Sequence, residues 1–349
     1  MLHTHFTKEY GLEIPFISAG MAFVAMPPLV AAVSNSGGMG TLGAALVPPD
    51  GLRVLIQAIK SMTSRPFGVN FITQFATETH IDVCIEERVP VVSFFWNEPP
   101  KAFISKLHTA GMKAWMQVGS VQEALRAVEA GVDAVIVQGS EAGGHNRSTA
   151  STLTLVPAVV DALTSVPVIA SGGIADGRGI VAALALGAEA VWVGTRMVAS
   201  QEAYAHDAYK QRLVATSSLD TTRTTLFGPE WPGQPIRVIR NRVVNEWSGR
   251  EVEAEASSER GQVIGQTVIG GQVVPLPKFS ALLPTPETTG DFEEMCLIAG
   301  ESVGLIHEVR PANEIIAMMM NEATHIIEQR LYGNDVPGTI TRSDEYLIN

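Results

Sequence analysis

Cysteine is almost absent from this 349-residue chain. The two that occur, Cys84 and Cys296, cannot build a disulfide framework and lack the close spacing of a metal pair, so both are expected as reduced, buried thiols. Aromatic residues make up only 6% and charged residues 17%, against 46% hydrophobic. The core must therefore be aliphatic, and it suffices for one large α/β domain or two ordinary ones. Basic clusters are missing as well. With a net charge of −12 and a pI of about 5.2, nucleic acid is a poor partner. No apolar run reaches the length of a membrane span without a charge; LVPAVVDALTSVPVIASGG carries Asp161 at its centre. The opening MLHTHFTKEYGL has no basic segment followed by an apolar one, so no signal peptide is visible. These absences lead to the expectation of a soluble, cytoplasmic protein that engages neither membrane nor nucleic acid.

What the chain does have is rhythm. Short β-branched runs recur through the first 200 residues: IPFISAG (14–20), GMGTLGA (38–44), PFGVNFI (66–72), VPVVSFF (89–95), KAWMQVG (113–119), DAVIVQG (133–139), VPVIASG (166–172) and AEAVWVG (188–194). Segments with helical spacing lie between them: PPLVAAVSNSG, GLRVLIQAIKSM, KAFISKLHTAG, SVQEALRAVEAG, LVPAVVDALTS and GRGIVAALALG. Prolines suit the first turn of one, glycines stop several, and Ser120 with Glu123 forms the pattern of a capping box. Strand runs without polar alternation suit parallel strands covered on both faces. Eight such units predict an α/β fold, a (β/α)₈ TIM barrel over residues 1–200. An open doubly wound sheet is the alternative, but no G-x-G-x-x-G follows the first strand; GGMGTLGA leads into a strand instead. Beyond residue 200 the rhythm breaks. QEAYAHDAYKQRLVAT and IAGESVGLIHEVRPANEIIAMMMNEATHIIEQRL read as helices, and a turn-rich and then Gly/Pro-rich excursion separates them. Residues 201–349 are read as a C-terminal helical and loop appendage packing on the barrel mouth. Met318, Met319 and Met320 within it read as core filler.

A barrel of this kind carries its chemistry at the C-terminal ends of its strands. Those ends present Ala19, Gly20 and Met21 after the first strand and Asn70 and Thr73 after the third. The fifth offers Gln117 and Ser120, and the sixth Gln138 followed by SEAGGHNR. The seventh ends in Ser171-Gly172-Gly173 and the eighth in Gly194-Thr195. Small residues and hydroxyls after the last two strands are what a phosphate site needs, because backbone N–H groups can then approach the oxygens. A phosphorylated cofactor and a phosphorylated substrate satisfy this equally. His145 follows the sixth strand beyond Gly143-Gly144, so it should project over the barrel mouth. An imidazole there would titrate near working pH. Glu141 and Arg147 flank the loop. No metal-ligating set is evident.

These residues resemble the flavin-dependent nitronate monooxygenases, formerly called 2-nitropropane dioxygenases, and their relatives, the flavin-type enoyl-acyl-carrier-protein reductases. The resemblance rests on Ile14 to Met21, EAGGH (141–145), PVIASGGIADGRG (167–179), AVWVGTRMVAS (190–200) and AGESVGLIHEVRPANEII in the tail, nearly the whole chain. It implies one FMN in the mouth. Its phosphate would sit on Ser171, Gly172, Gly173, Gly194 and Thr195, and its ring against Ala19, Gly20 and Met21. Asn70, Gln117 and Gln138 would bond the ring's polar edge, Gly143 and Gly144 would pass close to it, and His145 would face substrate. Two positions depart from the pattern: Arg147 stands where family members often carry glycine, and Gln117 where many carry lysine. The activity implied is oxidation of an alkyl nitronate by O₂ to a carbonyl compound and nitrite, with His145 bonding the nitro oxygens or removing an α-proton. An NAD(P)H-dependent FMN reductase of an enoyl thioester or quinone is the second expectation, and a non-catalytic flavin or phosphate-ligand binder the third. A homodimer is compatible with either enzyme.

Overall fold

The computed structural model describes residues 2–228 and 231–331. Its first six strands are β1 (Phe16–Ser18), β2 (Gly40–Gly43), β3 (Phe67–Ile72), β4 (Val91–Phe95), β5 (Lys113–Val118) and β6 (Ala134–Gln138). A two-residue strand, β7 (Gly144–His145), lies outside the barrel, which β8 (Val168–Ser171) and β9 (Ala190–Val193) complete. The eight barrel strands pair in parallel in the order β1-β9-β8-β6-β5-β4-β3-β2. Bridges Ile17–Met39 and Ala22–Gly43 join the two ends of this sheet into a nearly closed (β/α)₈ barrel. Every strand run read from the sequence contains one of its strands.

Two separate clusters explain why the runs lack polar alternation. One face of the strands packs under the helices, while the other fills the barrel with Ile17, Trp115, Ile136, Ile169, Ala190 and Trp192. The bottom of this interior is plugged by the first residues of the chain. Phe6 and Tyr10, on and just after the helix His5–Glu9, stack on Trp115, whose indole N–H donates to the Tyr10 hydroxyl at 2.9 Å. The barrel is thus sealed at its N-terminal end and open only where the strands finish.

The helix Val121–Ala130 starts on Ser120, whose hydroxyl accepts from the Glu123 amide; the Glu123 carboxylate instead accepts from Gly119, so the capping box is half made. The helix Glu78–Glu86 is a further one that was not read from the sequence: it is short, and its buried face of His80, Ile81, Val83 and Cys84 includes a polar residue.

The largest differences from expectation lie beyond residue 200. The helical run 201–216 is helical only over Asp207–Val214. In the run 298–331, Pro311 delays the helix to Ala312–His325, where Met319 and Met320 are buried and Met318 is exposed. The turn-rich stretch holds an antiparallel pair, β10 (Thr221–Thr224) with β11 (Ile236–Ile239), and the polar excursion holds the hairpin β12 (Val263–Ile269) and β13 (Gln272–Pro277). Residues 229, 230 and 332–349 of the predicted appendage lie outside the described residues. No helix among the described residues is long and apolar enough to cross a membrane.

Candidate functional site

A cavity of about 230 Å³ opens at the C-terminal ends of the barrel strands. The residues assigned to cofactor and substrate line it, from Ala19, Gly20 and Met21 round to Gly194 and Thr195, with His145 among them. Thr73 and Ser120, also named at strand ends, do not, since Thr73 bonds the Phe95 and Asn97 carbonyls and Ser120 caps the helix Val121–Ala130. No lysine, arginine, aspartate or glutamate side chain lines it among the described residues. Any anion held here must therefore be held by backbone N–H groups, hydroxyls and amides.

The backbone after β8 is built for that task. Gly172 and Gly173 take φ of 103° and 75°, a left-handed turn open to glycine. A Cβ on Gly172 would stand 2.9 Å from the Thr152 hydroxyl. That hydroxyl contacts the carbonyls of Ser171 and Gly172 and the Glu141 carboxylate, which accepts from the Thr152 amide at the start of the helix Thr152–Ala162. Glu141, which flanks the histidine loop, is thus a helix cap that braces the glycine turn. The next helix, Gly177–Ala185, does not offer its N-terminus to the cavity: its first amide donates to Glu322, and Asp176 caps Gly179. Beside the glycine turn, after the neighbouring β9, the Thr195 hydroxyl accepts from the Gly300 amide at 3.0 Å.

The polar edge is pre-arranged too. The Asn70 amide donates to the Ser93 hydroxyl at 2.9 Å, and the Gln138 amide reaches the His145 carbonyl at 3.4 Å. Gly143 and Gly144 both line the cavity, yet the reason Gly143 must be glycine is packing: a Cβ there would stand 2.5 Å from the Gly300 nitrogen.

Among the described residues, His145 is the only histidine on the cavity wall. Its ring centre lies 4.6 Å from that of Trp231, at a tilt, and 5.7 Å from that of Trp96, edge-on, and its Nε2 is buried with no hydrogen-bond partner among the described residues. Burial pushes its pKa down to about 4. This corrects the expectation of an imidazole titrating near working pH: at neutral pH the ring is uncharged and a weak base. An orphaned buried nitrogen is costly unless a ligand completes it.

The nitronate monooxygenase family profile matches residues 4–79 and 73–322. The chain belongs to the nitronate monooxygenase family. A probable nitronate monooxygenase of Staphylococcus aureus is 32% identical over 369 aligned positions, covering 93% of this chain and 98% of the relative. Among solved structures, FabK from Thermotoga maritima is 36% identical with a TM-score of 0.78, covering 95% of this chain and 99% of that one. A nitroalkane oxidase from Streptomyces ansochromogenes is 27% identical with a TM-score of 0.73, covering 92% and 98%. Membership makes the protein an oxidoreductase.

Within this nitronate monooxygenase family member, the appendage holds the histidine loop. β11 adds to β7 with Ile236 opposite His145 and Arg237 opposite Gly144. Two guanidiniums then grip the loop from both sides. Arg223 donates to the carbonyls of Asn146 at 2.7 Å and Ser148 at 2.9 Å, and Arg237 donates to that of Ser140 at 3.1 Å. They sit directly opposite one another in the β10–β11 register, and burial together with Arg237 lowers the Arg223 pKa. Like charges in that position are destabilising; Glu301, 3.0 Å from Arg237, offsets part of the cost. Asn146, fully buried, ties the loop back to the Gly139 carbonyl at 2.8 Å.

Arg147 does not line the cavity. Its guanidinium lies 5.4 Å from the Trp96 ring centre, donates to the Trp96 carbonyl at 2.6 Å and approaches Glu123 at 3.4 Å. The departure from the family pattern therefore supports an aromatic wall. Sequence reasoning missed that wall: Trp231 and Phe75 on the cavity side and Trp96 beside His145. Trp231 sits in the turn-rich GPEWPG segment, where no periodicity marks it. The Pro-flanked tryptophan in a polar stretch was the one signal available.

Proposed function

We propose that the protein oxidises alkyl nitronates with O₂ to carbonyl compounds and nitrite, using FMN held in the barrel mouth. The observation that carries this reading is His145: a neutral imidazole on the cavity wall with a buried, unpartnered Nε2. The lining supports this reading, because it offers the glycine turn of Gly172 and Gly173 beside hydroxyls and side-chain amides. Ser171, Gly172, Gly173, Gly194 and Thr195 would hold the phosphate with backbone amides and hydroxyls. The segment Ala19–Met21 would support the ring, and Asn70, Gln117 and Gln138 would bond its polar edge, with Gly143 and Gly144 alongside. Bound flavin supplies electron acceptance and the reaction with oxygen.

The chain's own contribution follows from charge. A nitronate is an anion with its negative charge on the nitro oxygens, so it needs a donor rather than a base. Neutral His145 can donate one N–H to such an oxygen at the cost of no charge burial. With its pKa near 4 it is poorly matched to removing the α-proton of a neutral nitroalkane. The proposed substrate is therefore the preformed nitronate, a sharper assignment than the base-or-donor pair read from the sequence. Trp231, Trp96 and Phe75 exclude water from that bond, and Arg223 and Arg237 keep the loop in register.

The higher identity to FabK supports a second reading, NAD(P)H-dependent reduction of an enoyl thioester or quinone. Oxygen uptake and nitrite release across a nitronate panel, beside an anaerobic NADH-oxidation assay, separate the two. Nitrite at the rate of oxygen uptake, with slow NADH oxidation, is expected. Rapid NADH oxidation without nitrite would replace this reading with the second.

A further inference from the structure

The mouth of the barrel is not uniform. Most of its glycines and hydroxyls come from the ends of β6, β8 and β9, with Gly20, Asn70 and Gln117 added from β1, β3 and β5, while beyond the ends of β1, β2 and β3 Phe23, Leu46, Ile72 and Phe75 reach the same cavity. Trp231 and Leu282, from beyond the barrel, continue this apolar side. Two of these residues adopt a backbone conformation that bulky side chains avoid: Phe23 has φ of 62° and Leu46 of 61°. Trp96, beside His145, has φ of 90°. Only two other non-glycine residues among those described share it, Arg88 and Phe279. Strain of this kind persists where the surroundings over-determine it, and it concentrates at ligand sites. Leu46 is also 55% exposed, so the strain holds an apolar side chain toward water rather than into a core.

We infer that this apolar arc is the specificity site for the non-reacting part of the substrate, and that it takes an uncharged hydrocarbon group, alkyl or aryl. The inference rests on the proposed function only for which end of the substrate reacts. A carboxylate on that group would meet no cation on the wall, and Arg147 is already engaged with Trp96 and Glu123. Burying it unpaired is costly, whereas each methylene buried there is favourable. Phe23, Leu46, Phe75 and Trp231 are the residues that discriminate.

Two measurements on the full-length protein test this. In turnover, kcat/KM along the series from ethyl to hexyl nitronate should rise roughly four-fold per methylene until the arc is filled. Propionate 3-nitronate should fall roughly ten- to hundred-fold below the alkyl nitronate of matched length. The variants Leu46→Asn and Trp231→Ala should flatten both trends. In binding, tryptophan fluorescence titrations with n-alkyl alcohols and matched carboxylates need no turnover, and alcohols should tighten with length while carboxylates stay weaker. A flat nitronate series in an active enzyme, or carboxylates equal to alcohols in binding, overturns the inference. Chain-length-dependent alcohol binding with no nitronate turnover would uphold the arc and remove the nitronate reading alone.

Discussion

The two sides of the barrel mouth are made by opposite means. The side at β6, β8 and β9 is small, polar and glycine-rich, and its precision comes from backbone held by buried partners such as Thr152 and Asn146. The side beyond β1 to β3 is bulky and apolar, and it carries left-handed backbone at Phe23 and Leu46, with the Leu46 side chain held toward water. The first suits a group that must bind identically in every turnover, an anionic phosphate and a flat ring. The second suits a partner whose shape varies. His145 stands at the seam, its strand pinned by β11 and its ring against Trp231.

This contrast can be broken at graded cost. The largest effect is expected at the seam itself: His145→Ala should lower turnover about 10²- to 10³-fold, as loss of one transition-state donor does, while the flavin stays bound, read by nitrite release and visible absorbance. On the polar side, Gly172→Val forces a branched residue into φ of 103° and against the Thr152 hydroxyl, so FMN affinity should fall at least ten-fold, measured by flavin fluorescence titration. Arg223→Met removes two charge-assisted bonds to the histidine loop. It should lower kcat about ten-fold with little change in KM, and Arg223→Lys should restore part of it because one carbonyl can still be reached.

A smaller effect follows from the buried imidazole. The folded-state pKa of His145 is about 4, below its ordinary 6.5, so the unfolded chain binds the proton first as pH falls. Its stability contribution is complete above pH 6.5 and is lost on descending toward pH 4, at up to about 1.4 kcal/mol per pH unit. Urea midpoints at pH 7 and 5 should therefore separate less in His145→Gln than in the wild type. The smallest effect belongs to the apolar side. Leu46→Asn places a residue tolerant of left-handed backbone at φ of 61° and should raise stability by about 0.5–1 kcal/mol, seen as a higher melting temperature, while weakening long-chain substrates.

The polar side was legible in the sequence and the apolar side was not. Ser171-Gly172-Gly173 and Gly194-Thr195 stand immediately after strands that announce themselves by β-branched runs, so their place at the mouth follows from strand position alone. Phe23, Leu46 and Phe75 also follow strands, but an apolar residue in a loop carries no mark that separates wall from core. Trp231 and Leu282 come from a region where proline and glycine erase periodicity altogether. The predicted helix over 298–331 shows the same weakness: its apolar spacing runs through Pro311, but the helix begins only after that proline, at Ala312. The role of Arg147 was equally hidden, since its partners Trp96 and Glu123 are 51 and 24 positions away.

The sequence by itself determined the eight strand units, their parallel burial and the residues at their ends, because strand order and alternation are local properties repeated along the chain. Only the tertiary structure decided the charge of His145, the grip of Arg223 and Arg237 on its loop and the make-up of the apolar wall. Each of these depends on groups brought together from distant segments. Desolvation, the force that silences the imidazole, exists only once they have met.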